Sequence, residues 1–225
     1  MTYARQLMGA IALALLVAPA FADTTSHYDR QGYRVEVIDK DSGIAPDTVK
    51  RMIDAFYTVY PQLTKTFNPK ATHQLTFVFD PAYDGVAATS DARIVYSPAW
   101  LLKHPDDIDV VTHETMHVVQ AYGHQENIPG WLTEGIADYV RNRFGVNNPA
   151  AGWKLGELKP GQNYTDSYRV TARFLTWLES HGHPGLVKSL DAAMREHRYK
   201  DSIWNELAGA SVDSLWASYT KDPAI

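Results

Sequence analysis

The chain has 225 residues, a formal net charge of −5, 45% hydrophobic and 21% charged residues, and no cysteine. That balance is globular, which excludes a disordered, low-complexity or collagen-like protein, and the length suits one domain whose core needs no staples. Without cysteine there is no disulfide framework, thiolate metal site or cysteine nucleophile, and no Lys/Arg cluster marks a partner nucleic acid or a polybasic membrane surface.

Residues 1–22 have the three parts of a secretory signal: Arg5 as the only charge, an apolar run over 7–17, and Ala20-Phe21-Ala22 as a cleavage site. The run is shorter than the roughly 20 apolar residues of a membrane span. The expected mature chain is therefore residues 23–225, one exported domain, secreted or periplasmic, with no membrane attachment once the signal is removed. Residues 24–31 read as a loose polar segment. Tyr33–Asp39 alternates apolar and polar residues like a half-buried strand. Pro46 and Asp47 open an amphipathic helix over 46–60, with Val49, Ile53, Phe56, Tyr57 and Tyr60 on one side. Gln74–Phe79 is a second strand, Ala87 and Ala88 belong to a short one, and 93–97 forms another, which Pro98 assigns to a sheet edge. Helices follow over 107–122, 131–144, 166–180, 185–196, 202–208 and 211–220. Strands first and helices after predict an α+β domain, with a small N-terminal mixed sheet and a helical half.

His113-Glu114-Thr115-Met116-His117 matches H-E-x-x-H inside the first long helix of that half, where Asp106 or Asp107 is the expected cap. Residues four apart share a helix face, so both imidazoles can meet one metal while Glu114 flanks it. A catalytic zinc needs a third protein ligand and an open position for water. Fourteen residues after His117 begins Trp131-Leu132-Thr133-Glu134-Gly135-Ile136-Ala137-Asp138-Tyr139. Glu134 supplies an oxygen ligand from the next helix. Asp138, one turn on, is placed to accept a hydrogen bond from the outer nitrogen of His113 or His117. Gly135 permits close approach of the two helices. Asp138 and His124 remain alternative third ligands, although His124 stands one place late for the H-E-x-x-H-x-x-G-x-x-H pattern, and Gln120 takes the place of its glycine.

H-E-x-x-H followed by W-L-x-E-G-x-A-x-Y resembles the glutamate-ligand zinc metallopeptidases, the gluzincins. The runs HETMHVVQAYGH and PGWLTEGIADYVR, with YRVTARFLTWLE (168–179) and MREHRYKDSIWNELAGASVDSLWASY (194–219), are similar to the basic secretory protein family of plants and bacteria. The resemblance covers most of the mature chain and implies a zincin-like peptidase domain. It further implies one zinc per chain, with His113 and His117 as ligands and Glu114 as catalytic base. The expected reaction is attack of a zinc-activated water on the peptide bond of a peptide or protein substrate. Tyr168 is the expected oxyanion donor, ahead of Tyr164, Tyr139 and His124, and strand 93–97 is expected to align substrate along a sheet edge. Two other functions share these residues: a zinc amidase acting on cell-wall peptides, and a zinc-containing binding or defence protein that cleaves nothing. The presence of Glu114 speaks against the second.

Overall fold

The structure, a computed structural model, describes residues 23–123 and 127–225. The expected signal segment, residues 1–22, and His124 lie outside the described residues. Strands β1 (Thr24–Arg30), β2 (Tyr33–Asp39), β3 (Gln74–Phe79), β4 (Ala87–Ser90) and β5 (Arg93–Tyr96) form one mixed sheet in the order β1-β2-β3-β5-β4. The helices are α1 (Pro46–Thr66), α2 (Pro98–Lys103), α3 (Val110–Gln120), α4 (Gly130–Phe144), α5 (Tyr168–Ser180), α6 (Leu186–Arg195), α7 (Ile203–Ala208) and α8 (Val212–Lys221). No helix among the described residues is long and apolar enough to cross a membrane.

The sheet follows from side-chain alternation. Val35 and Val37 of β2 stand opposite Leu75 and Phe77 of β3, and Phe77 and Phe79 stand opposite Ile94 and Tyr96 of β5. All seven are buried. Phe56 of α1 meets Phe77 edge-on at 5.6 Å and stacks on Tyr60 at 4.9 Å, which seats α1 on that face. Helix α3 packs on α1, strand β4 on α3, α4 on α3, and α5 on α4. The sheet edge and three helices thus enclose one region.

The structure corrects several sequence expectations. Residues 24–31 are not loose, because β1 pairs antiparallel with β2 from Thr24↔Asp39 to Arg30↔Tyr33. Gln31 and Gly32 make the connection with φ of 56° and 80°, the left-handed pair whose twist matches a tight hairpin. The strand was hidden because it is an edge exposed on nearly all its residues, with no buried alternation. Residues 93–97 do not form the edge: β5 is held between β3 and β4. Pro98 lies beyond the last paired residue and opens α2, whose Trp100 N–H donates to Ser97 Oγ at 3.3 Å. On that side of the sheet the edge strand is β4. Helix α1 runs past Tyr60 and through Pro61, with Leu63 and Thr64 buried beyond it; their packing outweighs the one backbone donor that Pro61 lacks.

Helix α3 begins at Val110, later than expected, because neither Asp106 nor Asp107 is free to cap it. Asp106 accepts from Arg51 at 2.8 Å, and Asp107 from Trp100 Nε1 at 2.8 Å and from Arg141. Asp109 takes the cap position, and its Oδ1 accepts from Val146 N at 2.8 Å, tying the loop after α4 to the start of α3. Helix α5 starts at Tyr168, since residues 164–166 form a separate 3-10 turn and Ser167 has φ of 66°.

Candidate metal centre and cleft

Helix α3 carries Val111, Met116, Val118 and Val119 into the core and is buried on almost every side. That leaves little freedom for His113 and His117, whose spacing of four sends both rings toward α4. On α4, Leu132, Ile136, Ala137 and Val140 are fully buried, while Glu134 faces the two histidines.

Three donors converge. His113 Nε2 lies 3.2 Å from His117 Nε2 and 3.2 Å from Glu134 Oε2, and His117 Nε2 lies 3.5 Å from the same oxygen. Among the described residues this is the one cluster of three or more such groups able to hold a metal ion. His181 and His183 form no second cluster. The outer ring nitrogens set the tautomers. His113 Nδ1 lies 2.8 Å from Asp138 Oδ1, so it is the protonated nitrogen. His117 Nδ1 lies 2.6 Å from Gln120 Oε1, and Gln120 Nε2 donates to the Thr133 carbonyl at 2.9 Å. Because that carbonyl only accepts, the amide orientation is determined and His117 Nδ1 also carries its proton.

Both Nε2 lone pairs therefore point inward with a carboxylate oxygen. Three acceptors at this separation repel one another unless a cation lies between them. Bonds of 2.0–2.1 Å in a tetrahedron place ligands about 3.3–3.4 Å apart, so the donor set fits a zinc-sized divalent ion. Without such an ion, protons answer the same field. Burial opposes charge on His113, but the carboxylates of Asp138 and Glu134 outweigh it and push its pKa up to about 10. Burial would raise Glu134, and the two imidazoles reverse this and hold its carboxyl well below the usual range.

Glu114 points to the other side of the cleft, is buried, and accepts a hydrogen bond from Thr89 Oγ1 of β4 at 2.6 Å. Tyr168 stands over the donors, its ring parallel to that of His113 within 16° at 6.1 Å. It is 53% exposed and follows Ser167 in a second consecutive left-handed residue, φ 47°. Glu134, burial and Asp138 all raise the pKa of its hydroxyl. The other two tyrosines considered face elsewhere: Tyr164 donates to Asp213 at 2.7 Å, and Tyr139 accepts from Arg143 at 3.2 Å. The three donors, Glu114 and Tyr168 open into one cavity of about 940 Å³, whose walls include Thr89, Trp100, Arg141 and Trp153.

Asp138 lies behind His113 and outside the three-donor cluster. Gly135 serves a different contact from the one expected: a Cβ there would lie 2.2 Å from Thr171 Cγ2, so it is α5, not α3, that approaches. Sequence reasoning missed Thr89 and Gln120. Gln120, three residues after His117, was within reach of helical spacing; nothing in the local sequence marks Thr89.

A mixed sheet whose edge strand borders a helix with two histidines, completed by a glutamate helix, is the α+β architecture of the zincin-like metallopeptidases. Residues 21–219 match the family described as "BSP: Peptidase of plants and bacteria", and the chain belongs to that family. Aminopeptidase A of Legionella pneumophila, solved with aspartic acid, superposes with a TM-score of 0.58 at 15% identity over 87% of this chain and 27% of its own. A mutant M1 zinc metallopeptidase from Deinococcus radiodurans, solved with a Tyr-Ser-Ala substrate, gives 0.52 at 13% identity over 88% and 51%. This chain thus spans about a quarter to a half of those proteins. Comparison with curated protein sequences finds no match.

Proposed function

We propose that this protein is an exported zinc-dependent peptidase, with residues 1–22 as its signal, that hydrolyses peptide bonds in the cleft between β4 and helices α3–α5. The observation that carries the reading is the convergence of His113, His117 and Glu134, with side-chain donors within 3.5 Å of one another, beside the Glu114 carboxylate. Membership of a peptidase family supports it.

His113, His117 and Glu134 would hold one zinc per chain, which when bound supplies Lewis-acid activation of a water and of the substrate carbonyl. The chain's own groups do the rest. Asp138 and Gln120 keep the two imidazoles in the tautomer that turns Nε2 inward. Glu114 takes the proton of the attacking water on its carboxylate and returns it to the leaving nitrogen. Thr89 holds that carboxylate in place. The Tyr168 hydroxyl donates to the carbonyl oxygen as it gains charge. The free edge of β4, rather than 93–97, offers backbone groups that align an extended peptide.

Metal content and peptide hydrolysis, measured on residues 23–225 and on Glu114→Gln, test this. About one zinc per chain in both, with cleavage of a denatured protein abolished by chelator and by Glu114→Gln, is the expected result. Zinc in both and no cleavage across a broad peptide library would favour a binding protein; cleavage confined to cell-wall peptides would favour the amidase.

A further inference from the structure

Arg141 follows Glu134 by seven residues on the same face of α4, about 10 Å at 1.5 Å per residue. It is 5% exposed, and three neighbours hold its guanidinium. Its Nε donates to Asn148 Oδ1 at 3.0 Å, one Nη pairs with Asp107, and the group lies over the Trp153 ring at 4.5 Å. The second oxygen of Asp107 accepts from Trp100 Nε1 at 2.8 Å. Trp100, Asp107, Arg141 and Trp153 are therefore linked contact by contact, and all four line the cavity that holds the metal-binding donors.

Strand β4 leads to the same place. Thr89 touches Glu114, and Val86 lies three residues earlier, about 10 Å along an extended chain. The Val86 carbonyl accepts from the N–H of Ser97, the residue that caps the helix bearing Trp100. Sheet edge and helix face thus run side by side from the reaction centre to an aromatic end.

We infer that this end is a subsite for an aromatic or large apolar side chain of the substrate, two or three residues to the C-terminal side of the cleaved bond. The inference rests on the peptidase reading. Two half-buried indoles and exposed Val86 offer flat apolar walls, to which an aromatic ring adds stacking as well as burial. The ionic floor is already neutral: Asp107 and Arg141 pair with each other, so a charged substrate side chain would give up its water here without gaining an unpaired opposite charge. The direction follows from β4. Antiparallel pairing is the more stable mode, and it runs the substrate from the Ser90 end toward Val86, which carries the residues after the cleaved bond to the indoles.

The test profiles cleavage of a proteome-derived peptide library by the zinc-loaded mature chain. Enrichment of Phe, Tyr, Trp or Leu at the second or third position after the cut is expected. Trp153→Ala and Val86→Asp should each reduce the kcat/KM preference by about tenfold or more. Val86 is a surface position, so its variant separates loss of the subsite from loss of folding. No enrichment there in the wild type, or enrichment that both variants retain, overturns the subsite. A second measurement needs no turnover. In Glu114→Gln, titration with N-acetyl-tryptophan amide should move the indole N–H signals of Trp100 and Trp153 but not those of Trp177 and Trp216, and Val86→Asp should abolish the shifts. Unmoved signals overturn the subsite whether or not the wild type cleaves peptides. Moved signals in a chain that cleaves nothing support the subsite and sink the peptidase reading alone.

Discussion

Thr89 Oγ1 lies 2.6 Å from Glu114 Oε2 and 3.1 Å from the Glu114 carbonyl oxygen, so one hydroxyl on edge strand β4 reaches both the side chain and the backbone of the residue that follows His113. The strand on which substrate would lie is therefore joined directly to the proposed base. Thr89→Val keeps the shape and removes the donor. It should lower kcat by about 10- to 100-fold, a share of the roughly 10²–10⁴ that a positioned base contributes. KM should change little, and Thr89→Ser should restore most of the rate. A merely structural role would instead be shown by Val and Ser variants that fall together.

Asp138 fixes the tautomer and orientation of His113 from a buried position, with its oxygen 2.8 Å from Nδ1. Asp138→Asn keeps the volume but lets an amide N–H face a nitrogen that must itself donate. Zinc affinity, measured by competition with a chromogenic chelator, should fall by about 10- to 100-fold. Unchanged affinity would remove Asp138 from the centre.

Gly135 lies where α4 and α5 are closest, and an added Cβ would sit 2.2 Å from Thr171 Cγ2 and 2.5 Å from Thr171 Cβ. Thr171 is fully buried and its hydroxyl donates to the Tyr164 carbonyl, so rotating it away is not a remedy. Gly135→Ala should therefore destabilise by about 1–3 kcal/mol despite its better helix propensity. The displaced α4 carries Glu134, so thermal unfolding and zinc affinity should drop together.

Asp191 is fully buried between Arg195 and Tyr122, at 2.6 and 3.0 Å. Burial raises its pKa from 3.8 to about 6, and Arg195 and Tyr122 only partly offset this. Between about pH 4 and pH 6 the folded chain keeps a proton that the unfolded chain has lost, so this group's contribution to stability falls as pH rises. It levels off above the folded pKa, after a total of at most about 3 kcal/mol. Denaturant unfolding at pH 4, 5, 6 and 7 should show a less negative slope for Asp191→Asn than for the wild type over that window. Parallel curves would refute the assignment.

Much of this molecule was legible because its signals are local. The five-residue motif on α3 and the glutamate segment on α4 need only helical periodicity to put two imidazoles and a carboxylate on facing surfaces, and β2 and β3 declare themselves by alternation. β1 was missed because an edge strand exposed on nearly all its residues carries no alternation to read. Residues 93–97 were placed at the edge because a proline after a strand does not tell which neighbour pairs beyond it.

The sequence by itself determined the chemistry: which side chains carry nitrogen and oxygen donors, and at what helical spacing. Tertiary structure alone decided what surrounds them. Pairing of β4 outside β5 brings Thr89, 25 residues away, onto Glu114. Packing of α5 against α4 at Gly135 places Tyr168 over His113, and the loop before α3 joins Asp107 to Arg141 beneath two indoles. Each of these contacts depends on the mutual position of elements far apart in the chain, which burial of shared apolar surface sets and local propensity does not encode.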